Sequence, residues 1–173
     1  MKTIVEVGAY RGFETTHFLE DQDAVVYAFE PDHDLYKDLN LLAAKEPRLT
    51  VLPMAVGIGD VSVSLFLLPD GNSMTEIPLF SNLNYYGVNM GWAMRLDTFM
   101  YLYNIDTIDY LRIDAPFHEE MCLESLGDRL KQVKGGRIRC YSEDFFASGW
   151  LRDRDFQTQM DNDPLPNVRF WRT

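Results

Sequence analysis

The stretch Ile4-Val5-Glu6-Val7-Gly8-Ala9-Tyr10-Arg11-Gly12 decides the fold class of this chain. Residues 4–7 form a short apolar run interrupted by one acid, which is typical of a strand buried in a parallel sheet. Gly8 follows the strand directly and permits a sharp turn that a ligand can approach closely. A helix is predicted to begin near Gly12, and the amides at its start favour a negative group.

Strands and helices are predicted to alternate after this turn. A helix is expected over residues 13–20 and a second buried strand over residues 24–29. Asp32 can cap the next helix, which Pro47 ends, and residues 49–52 form a third strand. This order indicates a parallel α/β sheet with right-handed crossovers, which places a bound cofactor at the carboxyl ends of the strands.

The second half of the chain is less regular. Residues 61–67 alternate and suit either an edge strand or one half of a hairpin, and residues 69–90 are predicted to form a long loop. A helix follows Arg95, and a fourth central strand covers residues 108–113. Gly135 and Gly136 are expected to separate a helix over residues 118–133 from a strand over residues 137–141. The remaining predicted elements are helix 145–151, strand 156–160 and strand 168–171.

Composition limits the partners of the chain. Its 173 residues predict a single domain (residues 1–173), and a formal net charge of -11 argues against nucleic-acid and membrane-surface binding. Cys122 and Cys140 lack metal-site spacing, and Asp109 and Asp114 are expected on opposite faces of a strand, so no metal site is predicted. Without a leader or a long apolar run, we expect a cytoplasmic chain.

The spacing of the two glycines separates two cofactor classes. Dinucleotide enzymes use G-x-G-x-x-G, whereas this chain has G-x-x-x-G with Tyr10 in the middle. A loop without the middle glycine suits the methionine portion of S-adenosylmethionine better than a pyrophosphate. An ordinary tight turn between strand and helix remains the alternative.

Two acids support a nucleoside ligand. Glu6 is an acid in an otherwise apolar strand, where it needs a partner, either a cofactor ammonium group or nearby backbone amides. Glu30 ends the second strand, where an acid usually binds ribose hydroxyls. That role suits S-adenosylmethionine and NAD equally.

Five blocks of sequence carry a family resemblance. They are residues 5–12, residues 26–32, Met54-Ala55-Val56-Gly57, Arg95-Leu96-Asp97-Thr98-Phe99 and Ile108-Asp109-Tyr110-Leu111-Arg112-Ile113-Asp114. In order and spacing over residues 3–125, the chain resembles the FkbM family of methyltransferases.

The resemblance implies a Rossmann-like class I methyltransferase fold. It implies a mostly parallel seven-stranded sheet of order 3-2-1-4-5-7-6, with helices on both faces and S-adenosylmethionine as the methyl donor. The acceptor would be a hydroxyl on a sugar or small metabolite. By position, Glu6, Gly8, Tyr10 and Gly12 would hold the methionine end, Glu30 the ribose, and Met54 and Ala55 the adenine, with Asp114 facing the methyl-transfer site.

The chain departs from the family pattern at two places. Ala115-Pro116-Phe117 replaces a valine-glutamate-glycine run, which removes a carboxylate and a flexible glycine from the catalytic edge. Glu119 and Glu120 could supply a carboxylate instead. Little chain precedes the first strand, so the acceptor is expected to be large, or a homo-oligomer to complete the pocket.

Candidate catalytic residues follow the fourth strand. His118 beside Glu119 is a candidate general base, with a helix-capping or surface role as the alternative. Tyr85, Tyr86 and Trp92 could form an aromatic wall for the acceptor or a hydrophobic plug under the loop. The predicted function is O-methylation, with a non-catalytic cofactor-binding module and an NAD-type reductase as alternatives.

Overall fold

The computed structural model describes residues 1–67, 73–74, 87–141, 147–161 and 166–172. Its first half contains β1 (Lys2–Val7), α1 (Phe13–Phe18), β2 (Ala24–Phe29), α2 (His33–Ala43), β3 (Leu49–Leu52), β4 (Ala55–Val56), β5 (Val61–Leu67) and β6 (Ser73–Met74). Its second half contains β7 (Gly87–Met94), α3 (Leu96–Leu102), β8 (Tyr110–Ile113), α4 (Glu119–Glu124), a 3-10 helix (Gly127–Gln132), β9 (Gly135–Arg139), α5 (Ala147–Arg152), β10 (Gln157–Asp161) and β11 (Asn167–Trp171).

Seven of the described strands form the main sheet in the order β3-β2-β1-β8-β9-β11-β10. Neighbours are parallel except that β11 runs antiparallel to both β9 and β10. Numbered along the chain within this sheet, the order is 3-2-1-4-5-7-6, so the predicted fold class is confirmed. Val7 pairs with Phe29 and Ile113, so β1, β2 and β8 end side by side.

Helices cover both faces of the main sheet and enclose two apolar cores. The smaller core lies under α1 and α2 and includes Ile4, Val26 and Leu39. The larger core packs α3, α4 and α5 on the other face, with Phe99 and Leu111 fully buried. Alternating side chains of the strands supply both cores, as the short apolar runs predict.

A second sheet replaces part of the predicted loop. Residues 61–67 form β5, which pairs antiparallel with both β6 and β7, so this segment is an arm of a hairpin within the sheet β4-β7-β5-β6. The prediction of a loop over 69–90 is wrong at residues 73–74, which form β6, and at its end, because β7 already begins at Gly87. Residues 68–72 and 75–86 lie outside the described residues.

The predicted helix 118–133 is broken after Glu124. Ser125 leaves the helix because it caps α3: its hydroxyl accepts from the Leu96 amide at 3.2 Å and its carbonyl from the Asp97 amide at 3.0 Å. Gly135 and Gly136 do not separate elements either, because they are paired with Trp171 and Phe170 inside β9. These corrections all arise from tertiary partners that lie far away in sequence.

Candidate active site

A cavity of about 290 Å³ lies at the carboxyl edge of the main sheet. Its walls come from the ends of β1, β2 and β8 and from β4 and β5 of the second sheet. Apolar side chains such as Met54, Val56 and Leu65 share the lining with charged and polar groups. Ligand cavities in open α/β sheets form at this edge, so the cavity is the candidate active site.

The turn after β1 brings backbone to the cavity. Gly8 has a φ of 77° and lines the cavity, and its amide and that of Ala9 both donate to the Phe29 carbonyl at 3.0 Å. A Cβ at Gly8 would overlap the backbone carbonyl of Asp114. Glycine is therefore required by both the positive φ and the close approach of β8.

Glu30 is held rigidly at the cavity wall. One carboxylate oxygen accepts from the Tyr10 amide at 2.7 Å, and the other accepts from the Asp32 amide at 2.8 Å. Burial raises the pKa of Glu30 to about 7, and the two amides oppose this rise. A carboxylate oxygen can accept more than one hydrogen bond, so Glu30 can still bind hydroxyl groups in the cavity.

Asp114 lies in the cavity wall within a network of cationic and phenolic donors. Its Oδ2 accepts from Arg112 at 2.8 Å and from Arg139 at 3.0 Å, and its Oδ1 accepts from the Tyr141 hydroxyl at 2.7 Å. Burial, followed by the charge of Asp114, raises the pKa of Tyr141 to about 12, so Tyr141 keeps its proton. Asp114 is thus positioned at the site, and the two guanidinium groups balance the negative charge of its carboxylate.

His118 lines the cavity beside Asp114, and only 7% of its surface is exposed. Its Nδ1 lies 2.9 Å from the Pro116 carbonyl, which can only accept, so Nδ1 carries a proton. The neutral imidazole therefore has its lone pair on Nε2. This tautomer suits a general base.

Glu119 is buried outside the cavity lining. Its Oε1 accepts from the Tyr141 amide at 2.6 Å, so this carboxylate fixes the chain that carries the Tyr141 side chain. Burial raises the pKa of Glu119. Glu120 is exposed. Neither acid replaces the carboxylate of the family pattern within the cavity, and the part that Glu119 plays is to position Tyr141.

Glu6 lies behind the turn and does not line the cavity. Its Oε2 accepts from the Thr15 hydroxyl at 2.5 Å, so a side chain rather than backbone amides binds this oxygen. Its Oε1 lies 3.7 Å from Arg112 and is buried without a hydrogen-bond partner among the described residues. Burial raises the pKa of Glu6 to about 7, although the Thr15 hydrogen bond and the charge of Arg112 each lower it. A contact between Glu6 and a cofactor ammonium group stays a prediction.

The other predicted binding residues divide into two groups. Tyr10, Met54 and Ala55 line the cavity, as their positions after β1 and β3 predict. Gly12 lies away from the cavity lining, with a φ of 77°, and a Cβ there would come within 2.6 Å of Leu39. Gly12 is therefore needed for packing α1 against α2.

Three residues of the site escaped prediction: Arg112, which meets Asp114 behind the wall, and Arg139 and Tyr141, which line the cavity. A signal for two of them existed, because Arg139 and Tyr141 flank the half-buried Cys140 in an alternating polar and apolar run, which predicts a shared face. Their contact with Asp114 depends on the pairing of β8 with β9, which sequence spacing does not reveal.

The aromatic acceptor wall is not confirmed. Trp92 lies on β7 outside the cavity lining and is 62% exposed, so it neither forms that wall nor plugs the space under a loop. Tyr85 and Tyr86 lie outside the described residues.

The motif Arg95-Leu96-Asp97-Thr98 has a structural role. Arg95 and Asp97 form a two-pronged ion pair at 2.9 and 2.6 Å at the start of α3. Asp60 accepts from the Arg95 amide at 2.8 Å and from the Thr98 hydroxyl at 2.8 Å. The motif therefore ties the second sheet to α3.

The fold and the cavity together define a class I methyltransferase architecture. The family model of the methyltransferase FkbM domain matches residues 6–156. The chain therefore belongs to the FkbM methyltransferase domain family, as its five sequence blocks predict.

Solved structures share this fold at low sequence identity. TrmK from M. capricolum, in complex with the cofactor product S-adenosylhomocysteine, aligns with a TM-score of 0.58 and 11% identity over 99% of this chain. The chain spans 62% of that TrmK chain. The precorrin-6y C5,15-methyltransferase from Geobacter metallireducens GS-15 gives a TM-score of 0.57 and 11% identity, covering 99% of this chain and 80% of its own.

An rRNA methylase from Streptococcus thermophilus also aligns, with a TM-score of 0.56 and 13% identity, over 99% of this chain and 86% of its own. No curated protein matches the chain significantly. Within the described ranges, no helix combines the length and apolar character needed to cross a bilayer.

Proposed function

We propose that the chain binds S-adenosylmethionine and transfers its methyl group to a hydroxyl of a sugar or small metabolite. The observation that carries this proposal is the shared cavity of Glu30, Asp114 and His118 at the carboxyl edge of β2 and β8. S-adenosylhomocysteine bound to TrmK, which has the same fold, supports the choice of cofactor.

The cavity suits the cofactor in shape and chemistry. Gly8 lines the cavity, so its backbone can lie against the methionine end of the cofactor. Glu30 offers a fixed carboxylate for the ribose hydroxyls, while Met54, Val56 and Leu65 supply apolar walls for a planar base. When bound, S-adenosylmethionine supplies a methyl group on a positively charged sulfur.

The residues that follow β8 would orient the acceptor and remove its hydroxyl proton. His118 takes the hydroxyl proton on Nε2, while Nδ1 keeps its hydrogen bond to the Pro116 carbonyl. Arg139 and Tyr141 hold Asp114 in place, so its carboxylate orients the acceptor rather than removing its proton.

A binding titration tests the cofactor proposal. We expect S-adenosylhomocysteine to bind the wild type with measurable heat, and Glu30→Ala to weaken binding roughly 10- to 100-fold, because hydrogen bonds to a charged group are worth about 1.5–3 kcal/mol. Glu120→Ala, which removes an exposed acid, should bind as the wild type does. Folded wild-type protein that gives no heat with millimolar ligand would disprove cofactor binding.

A non-catalytic binding module is the second candidate. It is favoured by the saturated Asp114 carboxylate and by Phe117 at the family's glycine position. Formation of S-adenosylhomocysteine against a panel of hydroxylated acceptors separates the two candidates. Turnover that His118→Asn abolishes, with binding retained, supports catalysis; binding without turnover by the wild type supports the module.

The cytoplasmic location is also part of the proposal. The free thiols of Cys122 and Cys140 support it, because reducing compartments keep cysteines unpaired.

A further inference from the structure

Leu65 is a buried apolar residue that belongs to neither apolar core. It lies on β5 of the second sheet, and only 2% of its surface is exposed. Neither of the two cores formed by the described residues includes it. Leu65 instead lines the cavity, together with Val56 of the same sheet. Its side chain is therefore a wall of the site and not part of the packing between the helices and the main sheet.

Gly91 lies beside this wall on the neighbouring strand. It is an interior residue of β7 and pairs with Val63 of β5, so Leu65 is its diagonal neighbour on the same face. A glycine inside a strand weakens the strand and often marks a close approach by another group. Backbone conformation does not require glycine here, because Gly91 lacks the positive φ that favours this residue.

The Leu65 side chain occupies the space where a side chain of residue 91 would lie. A Cβ on Gly91 would come within 2.7 Å of Leu65 Cδ1 and within 3.1 Å of its Cγ. Carbon atoms in ordinary contact are about 3.5–4.0 Å apart, so the two side chains do not fit together. The glycine thus allows Leu65 to pack close to the backbone of β7.

A side chain at position 91 would displace Leu65 towards the cavity. The atoms that clash belong to the end of a leucine side chain, which rotates more easily than the paired backbones of β5 and β7 can separate. Packed protein interiors have few voids, and the cavity that Leu65 lines is the empty space beside it. The displaced methyl groups would therefore narrow the cavity.

We propose that Gly91 is a positioning residue that sets, through Leu65, the width of the part of the cavity that binds the base. This inference rests on the proposed function, in which Met54, Val56 and Leu65 form the apolar walls for the base of S-adenosylmethionine. A purine is rigid and flat, so a wall that moves inward by a fraction of an ångström overlaps it, and overpacked contacts are unfavourable.

Calorimetric titration with S-adenosylhomocysteine tests the role of Gly91. We expect Gly91→Ala to weaken binding by about tenfold or more, because the displaced Leu65 overlaps the base. The variant should unfold at no lower urea concentration than the wild type, since alanine loses less backbone entropy than glycine and Leu65 can move into empty space. Gly149→Ala is the matched control, because its new Cβ meets no atom within 4 Å, and it should bind as the wild type does.

Leu65→Ala tests whether Gly91 acts through Leu65. This change removes the atoms that Gly91→Ala would displace, so Gly91→Ala should cause no further loss of affinity in the Leu65→Ala background. In the complex of the wild type with S-adenosylhomocysteine, nuclear Overhauser effects should connect the Leu65 methyl groups with the adenine protons. This second measurement needs no variant to fold.

The results separate this inference from the proposed function. A folded wild type that does not bind S-adenosylhomocysteine contradicts both. If the wild type binds, the inference alone is overturned by unchanged affinity in Gly91→Ala, or by a loss of affinity that comes with a loss of stability. An equal loss in the Leu65→Ala background, or no Overhauser effect between Leu65 and adenine, also overturns it.

Discussion

At the scale of single residues, Glu6 couples stability to pH. Burial raises its folded pKa to about 7 from an ordinary value near 4.5, so between these pH values the unfolded chain is ionised there while the folded chain keeps the proton. Stability from this group is therefore present below pH 4.5 and is lost as the pH rises towards 7. The loss is on the order of 3 kcal/mol.

Glu6→Gln should remove this dependence, since an amide does not titrate and can still accept from the Thr15 hydroxyl. We expect the stability of the variant relative to the wild type to rise between pH 5 and pH 8. Urea unfolding at both pH values measures the change, and Glu20→Gln, at an exposed acid, is the control. Parallel pH profiles for wild type and Glu6→Gln would contradict the argument.

Phe117 carries backbone strain at the edge of the site. Its φ is 63°, a region that costs a residue with a Cβ about 1–2 kcal/mol and glycine almost nothing. We therefore expect Phe117→Gly to be more stable than Phe117→Ala by about 1 kcal/mol, the reverse of the usual order. Both variants lose the ring, so their comparison isolates the backbone.

Thermal or urea unfolding of the Phe117 variants provides the measurement. The pair Tyr101→Ala and Tyr101→Gly, in α3, is the matched control and should show the ordinary order with alanine more stable. If alanine is the more stable substitution at Phe117 as well, the turn carries no strain.

A site residue could be predicted from the sequence where its position at the end of a buried strand is enough to place it at the cavity. Glu30 and Asp114 end buried strands, and the carboxyl ends of parallel strands meet at one edge, so both line the cavity. Glu6 was recognisable as a buried acid, but its partner Thr15 was not. That contact depends on how α1 packs over β1, which the spacing of residues does not encode.

At the scale of elements, local pattern predicted the central strands and missed those with weak patterns. β1, β2, β3 and β8 are short apolar runs, and each was expected. β7 contains Gly87, Asn89 and Gly91, which are typical of loops, but its pairing with β5 overrides that tendency. The pattern over residues 118–133 similarly predicts one helix, and the cap that Ser125 gives to α3 interrupts it.

Ser125→Ala tests this cap. The Ser125 hydroxyl is fully buried and accepts from the Leu96 amide, so its removal leaves a buried donor unsatisfied. We expect a loss of about 1–3 kcal/mol in the free energy of unfolding. Ser62→Ala, at an exposed position on β5, should change stability by less than about 0.5 kcal/mol. Equal small effects would show that the cap contributes little.

At the scale of the whole molecule, the two sheets meet at the cavity. The main sheet supplies Glu30 and Asp114, while the second sheet supplies Val56 and the buried Leu65. β1 is paired on both sides within a covered part of the sheet, whereas β7 exposes Val88 on its outer face. The second sheet should therefore open more readily than the main sheet.

Hydrogen exchange with and without S-adenosylhomocysteine tests whether the second sheet opens more readily than the main sheet. In the free protein, we expect the amides of β1 and β8 to exchange most slowly and those of β5 and β7 much faster. A ligand in the cavity contacts both sheets, so opening β5 must release it. At a ligand concentration about 100 times the dissociation constant, exchange in β5 and β7 should slow by up to about 100-fold. Glu30→Ala under the same conditions should show little of this protection. If ligand slows exchange only in the main sheet, the second sheet is not a wall of the occupied site.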